Sequence, residues 1–252
     1  MINLMQGDCL DLMKDIPDGS VDMVLTDPPY GTTQNKWDSV IPFELMWEQL
    51  NRVTKRNAAI VMTASQPFSS ALVMSNPKMF KHEWVWIKNC GSNFLNTVRE
   101  PFKEHETVLF FSNGKWTYNK QMQERTGTGK SRVKYKFTAR QNSQNYGKIG
   151  SPKETQDNLR NPSSWQKFNR ETGFHPTQKP VALMEYLIKT YTNEGETVLD
   201  FTMGSGTTGI AAKNLNRSFI GIELDKDYYN IAKERIENAN PLGEFYKDES
   251  IK

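Results

Sequence analysis

Apolar residues in the first 111 positions follow two spacings, one typical of buried strands and one typical of amphipathic helices. Apolar spacings of three and four residues predict a helix over 42–53, and a second predicted helix, over 67–75, begins at a proline. Short runs rich in β-branched and aromatic residues predict strands at residues 2–5, 21–27, 58–64, 83–88 and 107–112. This part of the chain is therefore predicted to alternate strands and helices.

The same alternation returns from residue 175 onwards. Its apolar pattern predicts helices at 179–191, 207–215 and 225–239, with strands at 197–201 and 218–224. A strand, a helix and another strand in succession favour a right-handed crossover, which makes the two strands parallel. The pattern predicts an α/β fold with a mostly parallel sheet.

Between residues 112 and 174 this pattern disappears, and small, polar and basic residues are interleaved with aromatic ones. A stretch of this length inside a compact domain is usually functional or disordered, and the aromatic residues argue against simple disorder. We therefore predict three regions: a first half of the domain at 1–111, an insert at 112–174, and a second half at 175–252.

The insert is basic, whereas the rest of the chain is acidic. From Ser112 to Arg170 there are 13 lysine and arginine residues against 3 acidic ones, and elsewhere there are 19 against 26. A basic segment between acidic flanks indicates a surface that faces a polyanion. A solvated basic loop is the alternative interpretation.

Composition narrows the class of protein. With 252 residues, 37% of them hydrophobic, the chain can form one α/β domain with an insert, and no run approaches the length of a membrane span. The amino terminus does not resemble a signal peptide. The two cysteines and three histidines show no metal-binding spacing, so we predict no metal site and a reducing, cytoplasmic setting.

A glycine-rich turn follows the predicted strand at 197–201. Asp200 ends this strand, and Gly204, Gly206 and Gly209 follow, where glycine lets the backbone approach a ligand and lets the next helix pack closely. Glu223 ends the next strand, where a carboxylate can accept hydrogen bonds from both ribose hydroxyls of an adenosine. This unit predicts a site for a cofactor that contains adenosine.

The position of Asp200 favours one adenosine cofactor over another. The glycine spacing formally matches the dinucleotide fingerprint, a weak signal when it stands alone. A carboxylate beside bound phosphates would be repelled, whereas it would attract the ammonium group of a methionine moiety. The site is therefore predicted to bind S-adenosylmethionine rather than NAD.

A second motif ends the predicted strand at 21–27. Asp27, Pro28, Pro29 and Tyr30 place a carboxylate and an aromatic ring on a stiff turn, at the sheet edge where open α/β proteins bind ligands. An amino group on a nucleobase is a poor nucleophile because its lone pair is delocalised into the ring. Asp27 and the Pro28 carbonyl could each accept a hydrogen bond from one N–H of this amino group, and Tyr30 could stack on the base. The motif predicts methyl transfer to an exocyclic amine, aided by positioning and electrostatics.

Taken together, these residues resemble a known family. Asp27 to Tyr30 resembles the DPPY motif of DNA methyltransferases that modify amino groups, and Asp200 to Thr207 resembles their FxGxG motif. The run from His175 to Pro180 is similar to their HPTQKP segment, and 7–9 with 17–22 are similar to their amino-terminal region. The order of these motifs along the chain is that of the β-group.

The resemblance implies a Rossmann-like methyltransferase fold with seven strands in permuted order, in which the strand before Asp27 lies beside the strand before Asp200. It implies that the catalytic residues are Asp27, Pro28, Pro29 and Tyr30. It implies that the cofactor-binding residues are Asp8, Asp27, Thr177, Lys179, Asp200, Phe201, Gly204, Ser205, Gly206, Thr207 and Glu223. Asp8 would lie near the adenine, and Thr177 and Lys179 would border the methionine end.

The resemblance also implies a substrate and partners. The insert would be the target-recognition region on double-stranded DNA, with basic side chains on phosphates and aromatic rings beside a flipped-out base. A homodimer and a cognate restriction endonuclease would be partners.

Four alternatives remain open, and one of them is an RNA substrate, although the motif order is that of enzymes that act on DNA. Methylation of cytosine N4 needs the same loop, although an aspartate at position 27 favours adenine N6, since family members that act on cytosine more often carry serine there. An NAD-dependent oxidoreductase would leave Asp27 to Tyr30 and the basic insert unexplained. A catalytically silent DNA-binding module would not need an intact Asp27.

Some other residues have simpler interpretations. Trp84 and Trp86 alternate on one predicted strand and are predicted to lie in the core. Residues 103–106 are predicted to form a solvated entry to the next strand, and His175 is predicted to orient its own loop.

Overall fold

The computed structural model describes residues 1–33, 35, 38–126, 142–143, 147–148, 158–174 and 178–239. His175, Thr177 and most of the central part of the predicted insert lie outside the described residues. The strands are β1 (Ile2–Gln6), β2 (Val21–Thr26), β3 (Thr54–Ala64), β4 (Phe80–Ile87), β5 (His105–Phe111), β6 (Gln123–Glu124), β7 (Asn142–Ser143), β8 (Gly147–Lys148), β9 (Leu159–Arg160), β10 (Trp165–Lys167), β11 (Thr197–Asp200) and β12 (Ser218–Glu223). The helices are α1 (Cys9–Leu12), α2 (Phe43–Val53), α3 (Phe68–Ser75), α4 (Val181–Tyr191), α5 (Thr207–Asn214) and α6 (Lys226–Asn238).

Eight of these strands form one sheet in the order β1-β12-β11-β2-β3-β5-β4-β10. All neighbouring strands from β1 to β3 are parallel, β5 is antiparallel to both β3 and β4, and β10 is parallel to β4. The predicted fold class, α/β with a mostly parallel sheet in permuted order, is confirmed. The predicted number of seven strands needs a correction, because the short strand β10 adds an eighth at one edge.

Strands β2 and β11 lie side by side in the middle of the sheet, where Val198 pairs with Met23 and Leu199 with Val24. Helices cover both of their faces, so nearly every residue of these two strands is buried. This is why both read as continuous apolar runs in the sequence. The adjacency that was predicted for the strands before Asp27 and Asp200 is confirmed.

Alternating side chains of the sheet divide the core into two layers. Met23 and Leu25 face the apolar sides of α4, α5 and α6, in a cluster that also contains Trp84 and Trp86. Val24 faces the other side, where it joins the apolar residues of α2 and α3. The prediction that both tryptophans are core residues is confirmed, since each is buried.

The chain divides into two compact units, one of residues 1–119 and 164–252, and the other of residues 120–163. The second unit contains two antiparallel pairs, β6 with β9 and β7 with β8. The predicted insert at 112–174 is longer than this unit, because β10 pairs with β4 in the main sheet. Three residues carry too little pattern to predict such a strand.

Across the described ranges, no helix is both long enough and apolar enough to cross a lipid bilayer.

Candidate active site

The predicted site residues come from different strands but meet at one edge of the sheet. In a parallel sheet all carboxyl ends point the same way, so Asp27 after β2, Asp200 at the end of β11 and Glu223 at the end of β12 share an edge. Because β5 runs in the opposite direction, its first residues reach the same edge and bring Glu106 there. A pocket of about 380 Å³ lies at this edge, and its lining includes all four of these residues.

Most of the predicted residues line this pocket. They are Asp8, Asp27, Pro28, Pro29, Tyr30, Lys179, Asp200, Phe201, Gly204, Ser205, Thr207 and Glu223. Gly206 is not part of the lining, and Thr177 lies outside the described residues. The two loops that the sequence singled out, at Asp27 and at Gly204, therefore border one cavity.

The Asp27 carboxylate has three polar neighbours. Its Oδ2 atom lies 2.5 Å from the Lys179 Nζ atom, and its Oδ1 atom accepts a hydrogen bond of 2.7 Å from the Tyr30 hydroxyl. The Thr63 hydroxyl also donates to Oδ1. A carboxylate has about four lone-pair positions, and the described residues take up three of them, which leaves one to accept a hydrogen bond from a substrate N–H group.

Tyr30 is fixed by its ring as well as by its hydroxyl. The ring stacks on Phe68, with centroids 5.1 Å apart, and the Lys179 Nζ atom lies 5.8 Å from the ring centroid. Burial, with further contributions from Asp27 and Glu106, raises the pKa of Tyr30 well above its usual value. The hydroxyl therefore stays protonated at neutral pH and donates its hydrogen.

The turn that carries Asp27 is tied to the turn that carries Asp200. The Thr26 hydroxyl donates to Asp200 Oδ1 at 2.7 Å and lies 2.6 Å from the Thr202 hydroxyl. The Thr202 hydroxyl in turn donates to the Asp27 backbone carbonyl at 3.3 Å. These two threonines fix the relative position of the two loops, and neither was singled out from the sequence.

Asp200 is a buried carboxylate, with 3% of its surface exposed. Burial raises its pKa from 3.8 to about 7, although hydrogen bonds from Thr208, Thr26 and the Thr202 backbone act in the opposite direction. A cation in the adjoining pocket would favour the ionised form and lower this pKa again. The site is thus suited to a ligand with a positively charged group next to Asp200.

Glu223 holds the glycine turn in shape. One carboxylate oxygen accepts a hydrogen bond of 2.8 Å from the Gly204 backbone, and the other accepts 2.9 Å from Asp225. Gly204 has a φ angle of +51°, in the left-handed region that favours glycine. Burial raises the pKa of Glu223, although backbone hydrogen bonds from Asp225, Gly204 and Leu224 act in the opposite direction.

Gly206 has a packing role rather than a place on the pocket wall. A Cβ atom there would lie 2.9 Å from the Cβ atom of Ala232 on α6, and its φ angle is +81°. Ser205, beside it, is held by Arg235, whose Nη1 atom donates to the Ser205 carbonyl and hydroxyl oxygens. Gly206 therefore lets α5 begin close to α6, which supports the turn from behind.

Glu106 and Lys88 form a buried extension of the site. The Glu106 Oε1 atom lies 2.5 Å from the Lys88 Nζ atom, and its Oε2 atom lies 3.5 Å from the Lys179 Nζ atom. The prediction that residues 103–106 form a solvated strand entry is wrong for Glu106, because the antiparallel direction of β5 turns this residue toward two lysines. Glu104 and His105, by contrast, are exposed.

The pocket also offers groups for a zwitterionic ligand end. Within the described part of the chain, the Gln178 Oε1 atom is buried without a hydrogen-bond partner, while its Nε2 atom donates to Glu171. Gln178 lines the pocket together with Asp200. A buried acceptor costs free energy until it is paired, so a ligand N–H beside Gln178 would be favourable. Asp8 also lines the pocket, and its Oδ1 atom caps α1 by accepting a hydrogen bond from the Leu10 backbone N–H.

Comparison with known proteins gives the family of the chain. A family model described as DNA methylase, for enzymes that act on N6 or N4 amino groups, matches residues 21–234. The type II methyltransferase M.HpaI of Haemophilus parainfluenzae is 29% identical over 256 residues, covering 93% of this chain and 74% of that one. The type II methyltransferase M1.MboII of Moraxella bovis is 30% identical over 257 residues, covering 90% of this chain and 93% of that one.

A solved structure gives the same result. The crystal structure of the M1.HpyAVI–SAM complex superposes with a TM-score of 0.62 and is 28% identical in sequence. The alignment covers 94% of this chain and all of that one. The similarity therefore extends over nearly the whole of both chains.

Proposed function

The chain belongs to the DNA methylase family whose members modify N6 or N4 amino groups, and we propose that it methylates the N6 amino group of adenine in double-stranded DNA. As a member of this family it is a DNA methyltransferase, with S-adenosylmethionine as its cofactor and DNA as its substrate. The observation that supports the proposal most strongly is the common pocket of Asp27 and Asp200. An NAD-dependent oxidoreductase is not compatible with this family.

The residues of the glycine turn fit the cofactor. We assign Asp200 and Gln178 to the ammonium group of the methionine end and Glu223 to the ribose hydroxyls, with Asp8 near the adenine. The pocket volume lies in the range of about 300–1,000 Å³ that is typical of sites for small organic ligands. When bound, the cofactor supplies a methyl group on a positively charged sulfur, which is open to attack by a nucleophile.

The residues of the Asp27 turn fit the amine. The Asp27 carboxylate accepts a hydrogen bond from one N–H of the base amino group, and the Pro28 carbonyl accepts a hydrogen bond from the other. With both hydrogens held, the nitrogen lone pair turns out of the ring plane toward the methyl donor. Tyr30 supports one face of the base, because Phe68 and the hydrogen bond to Asp27 fix its ring.

Charge changes during the reaction favour the same residues. The amine nitrogen becomes positively charged as it takes up the methyl group, and the ionised Asp27 stabilises this charge in a partly buried site. The Lys179 Nζ atom contacts the Asp27 carboxylate at 2.5 Å and orients it. The excess proton then leaves the nitrogen to solvent or to Asp27. Positioning and electrostatics account for the rate, and no covalent intermediate is needed.

The choice of adenine rests on residue 27. An aspartate at the first position of the motif favours adenine N6, because cytosine N4 enzymes more often carry serine there. The family model covers both targets, so cytosine N4 is the second candidate. In this chain the charged Asp27 is matched by the ammonium group of Lys179, an arrangement built around a carboxylate rather than a hydroxyl.

The remaining proposals concern DNA and partners. A base in a duplex is buried in the stack, so we propose that the target base is flipped out before it reaches the pocket. The basic insert is proposed to bind phosphates and to read the sequence.

A homodimer and a cognate restriction endonuclease are proposed as partners, since relatives are type II methyltransferases.

Analysis of methylated nucleosides tests this function. Genomic DNA from a methylation-free host that expresses the chain is digested to nucleosides and separated by mass spectrometry. We expect N6-methyladenine, and a host that expresses the Asp27→Ala variant serves as the control and should contain none. If N4-methylcytosine alone is found, the target is cytosine, and if neither base appears while the chain is folded and soluble, the proposed function is wrong.

A further inference from the structure

Four side chains of alternating charge lead from the interior of the sheet to the pocket. Lys88 contacts Glu106 at 2.5 Å, Glu106 contacts Lys179 at 3.5 Å, and Lys179 contacts Asp27 at 2.5 Å. The side chains of Lys88 and Lys179 are 3% and 6% exposed, whereas Asp27, at the pocket end, is 25% exposed. We name this group the charge series.

The charge series is costly if it serves packing alone. Removing an ion from water costs several kcal/mol, and apolar residues of similar volume often stabilise a core as well or better. The neighbouring positions on β4 and β5, such as Trp86 and Val108, are apolar and buried. Buried ion pairs that border a pocket are therefore candidates for a role in the chemistry.

Lys179 and Glu106, in the middle of the charge series, shift each other's pKa. Burial alone would lower the pKa of Lys179, but the carboxylates of Asp27 and Glu106 outweigh burial and raise it. Burial would raise the pKa of Glu106, but Lys179 and Lys88 outweigh it and lower that pKa. Lys179 and Glu106 are thus both charged at neutral pH.

We infer that Glu106 is a positioning residue for methyl transfer, because it shares the Lys179 ammonium group with Asp27 and offsets its charge. This inference rests on the proposed function, in which Asp27 holds the amine. The amine gains positive charge beside Asp27, and therefore near the Lys179 ammonium group. Two like charges repel each other more strongly in a partly buried site than in water. Glu106 reduces this repulsion, because its carboxylate lies 3.5 Å from the Lys179 Nζ atom and offsets part of its charge.

The net charge of the charge series differs between variants, and a residue that served packing alone would not make activity follow this charge. The four charged groups sum to zero, the variant Glu106→Gln leaves +1, and Lys88→Met leaves −1. The double variant returns the sum to zero. Other polar groups near the charge series are Tyr30 and Thr63 on Asp27, Arg170 near Lys88, and Asp200 near Asp27, and all of these stay unchanged.

The experiment compares the purified full-length variants in steady-state methyl transfer, which gives kcat and the DNA KM, with separate measurements of the S-adenosylmethionine Kd and of Tm. Glu106→Gln is expected to lower kcat about 10- to 100-fold, with the cofactor Kd and the DNA KM within about threefold of wild type. Lys88→Met, which leaves the opposite net charge, is expected to lower kcat less than Glu106→Gln does, and the double variant should recover at least part of the loss. The matched control is Glu104→Gln, which changes an exposed glutamate two residues away and should behave as wild type.

Two results would overturn the inference. One is a Glu106→Gln enzyme whose kcat equals that of Glu104→Gln. The other is a parallel fall of kcat and Tm that the double variant does not reverse, which indicates a structural role. Should Glu106→Gln not fold, the double variant and Lys88→Met still give the comparison. An inactive Asp27→Ala enzyme in the same assay shows that the proposed function stands even when this inference fails.

Discussion

Replacing Asp27 by alanine is expected to lower kcat for methyl transfer by about 1,000-fold, because the carboxylate both orients the amine and stabilises its developing charge. The Kd of S-adenosylmethionine should change by no more than a few-fold, since Asp200 and Glu223 remain in place. Calorimetry measures the cofactor Kd, and steady-state transfer of a labelled methyl group measures kcat.

The controls for this prediction follow from the contacts of Asp27. Asp27→Asn keeps the shape of the side chain but loses the charge that pairs with Lys179, and it should be nearly as inactive as Asp27→Ala. Asp11→Ala changes an exposed aspartate that pairs with Lys14, and it should retain full activity. An Asp27→Ala enzyme that transfers methyl groups at more than a tenth of the wild-type rate would contradict the assigned role.

Replacing Asp200 by asparagine is expected to weaken S-adenosylmethionine binding by about 100-fold, the effect of removing one partner from a buried, hydrogen-bonded charge pair. Asparagine keeps the size of the side chain and can still accept the hydrogen bond from Thr26, so Tm should stay close to that of wild type. Asp227→Asn, which changes an exposed aspartate in the first turn of α6, is the matched control.

The pH dependence of binding gives this prediction a second readout. Without cofactor the pKa of Asp200 is about 7, and an adjacent ammonium group lowers it, so binding releases a proton below that pH. Affinity should therefore be flat above pH 7 and should fall by up to about tenfold for each pH unit below it. In Asp200→Asn this dependence should vanish. A wild-type affinity that is constant from about pH 5 to pH 8 would show that Asp200 does not meet the ammonium group.

Much of the fold could be predicted from apolar spacing, because each long element has one strong pattern. Strands β2 and β11, buried on both faces, read as continuous apolar runs, and α4 shows its buried stripe at Leu183, Leu187 and Tyr191. The ends of the long helices and strands differ from the predicted ranges by at most four residues. The short strand β10 was not predicted, because three residues are too few to show an alternation of apolar and polar side chains. Its pairing depends on the edge of β4, which is distant in the sequence.

The site could be predicted in part, because its two loops carry local motifs. Asp27 to Tyr30 and Asp200 to Gly204 each combine a strand end with a turn, and a parallel sheet brings such ends together. Glu106 could not be found in this way, since its position depends on the antiparallel direction of β5, which no local pattern indicates. The threonine bridge of Thr26 and Thr202 depends likewise on the pairing of two strands distant in the chain.

A match to the glycine motif does not show which of its residues face the ligand, as Gly206 illustrates. It belongs to the glycine pattern by spacing, yet its missing side chain makes room for α6 rather than for a ligand. The motif therefore combines residues that face the pocket, such as Gly204, with residues that hold the turn from behind.

A crystal structure of the chain with bound S-adenosylmethionine tests most directly whether donor and amine sites face each other. The methionine ammonium group is expected within hydrogen-bonding distance of Asp200, and the sulfur-bound methyl group is expected to point into the space beside Asp27 and Tyr30. A cofactor bound elsewhere, or one whose methyl group is turned away from Asp27 with protein filling the space between, would contradict the account.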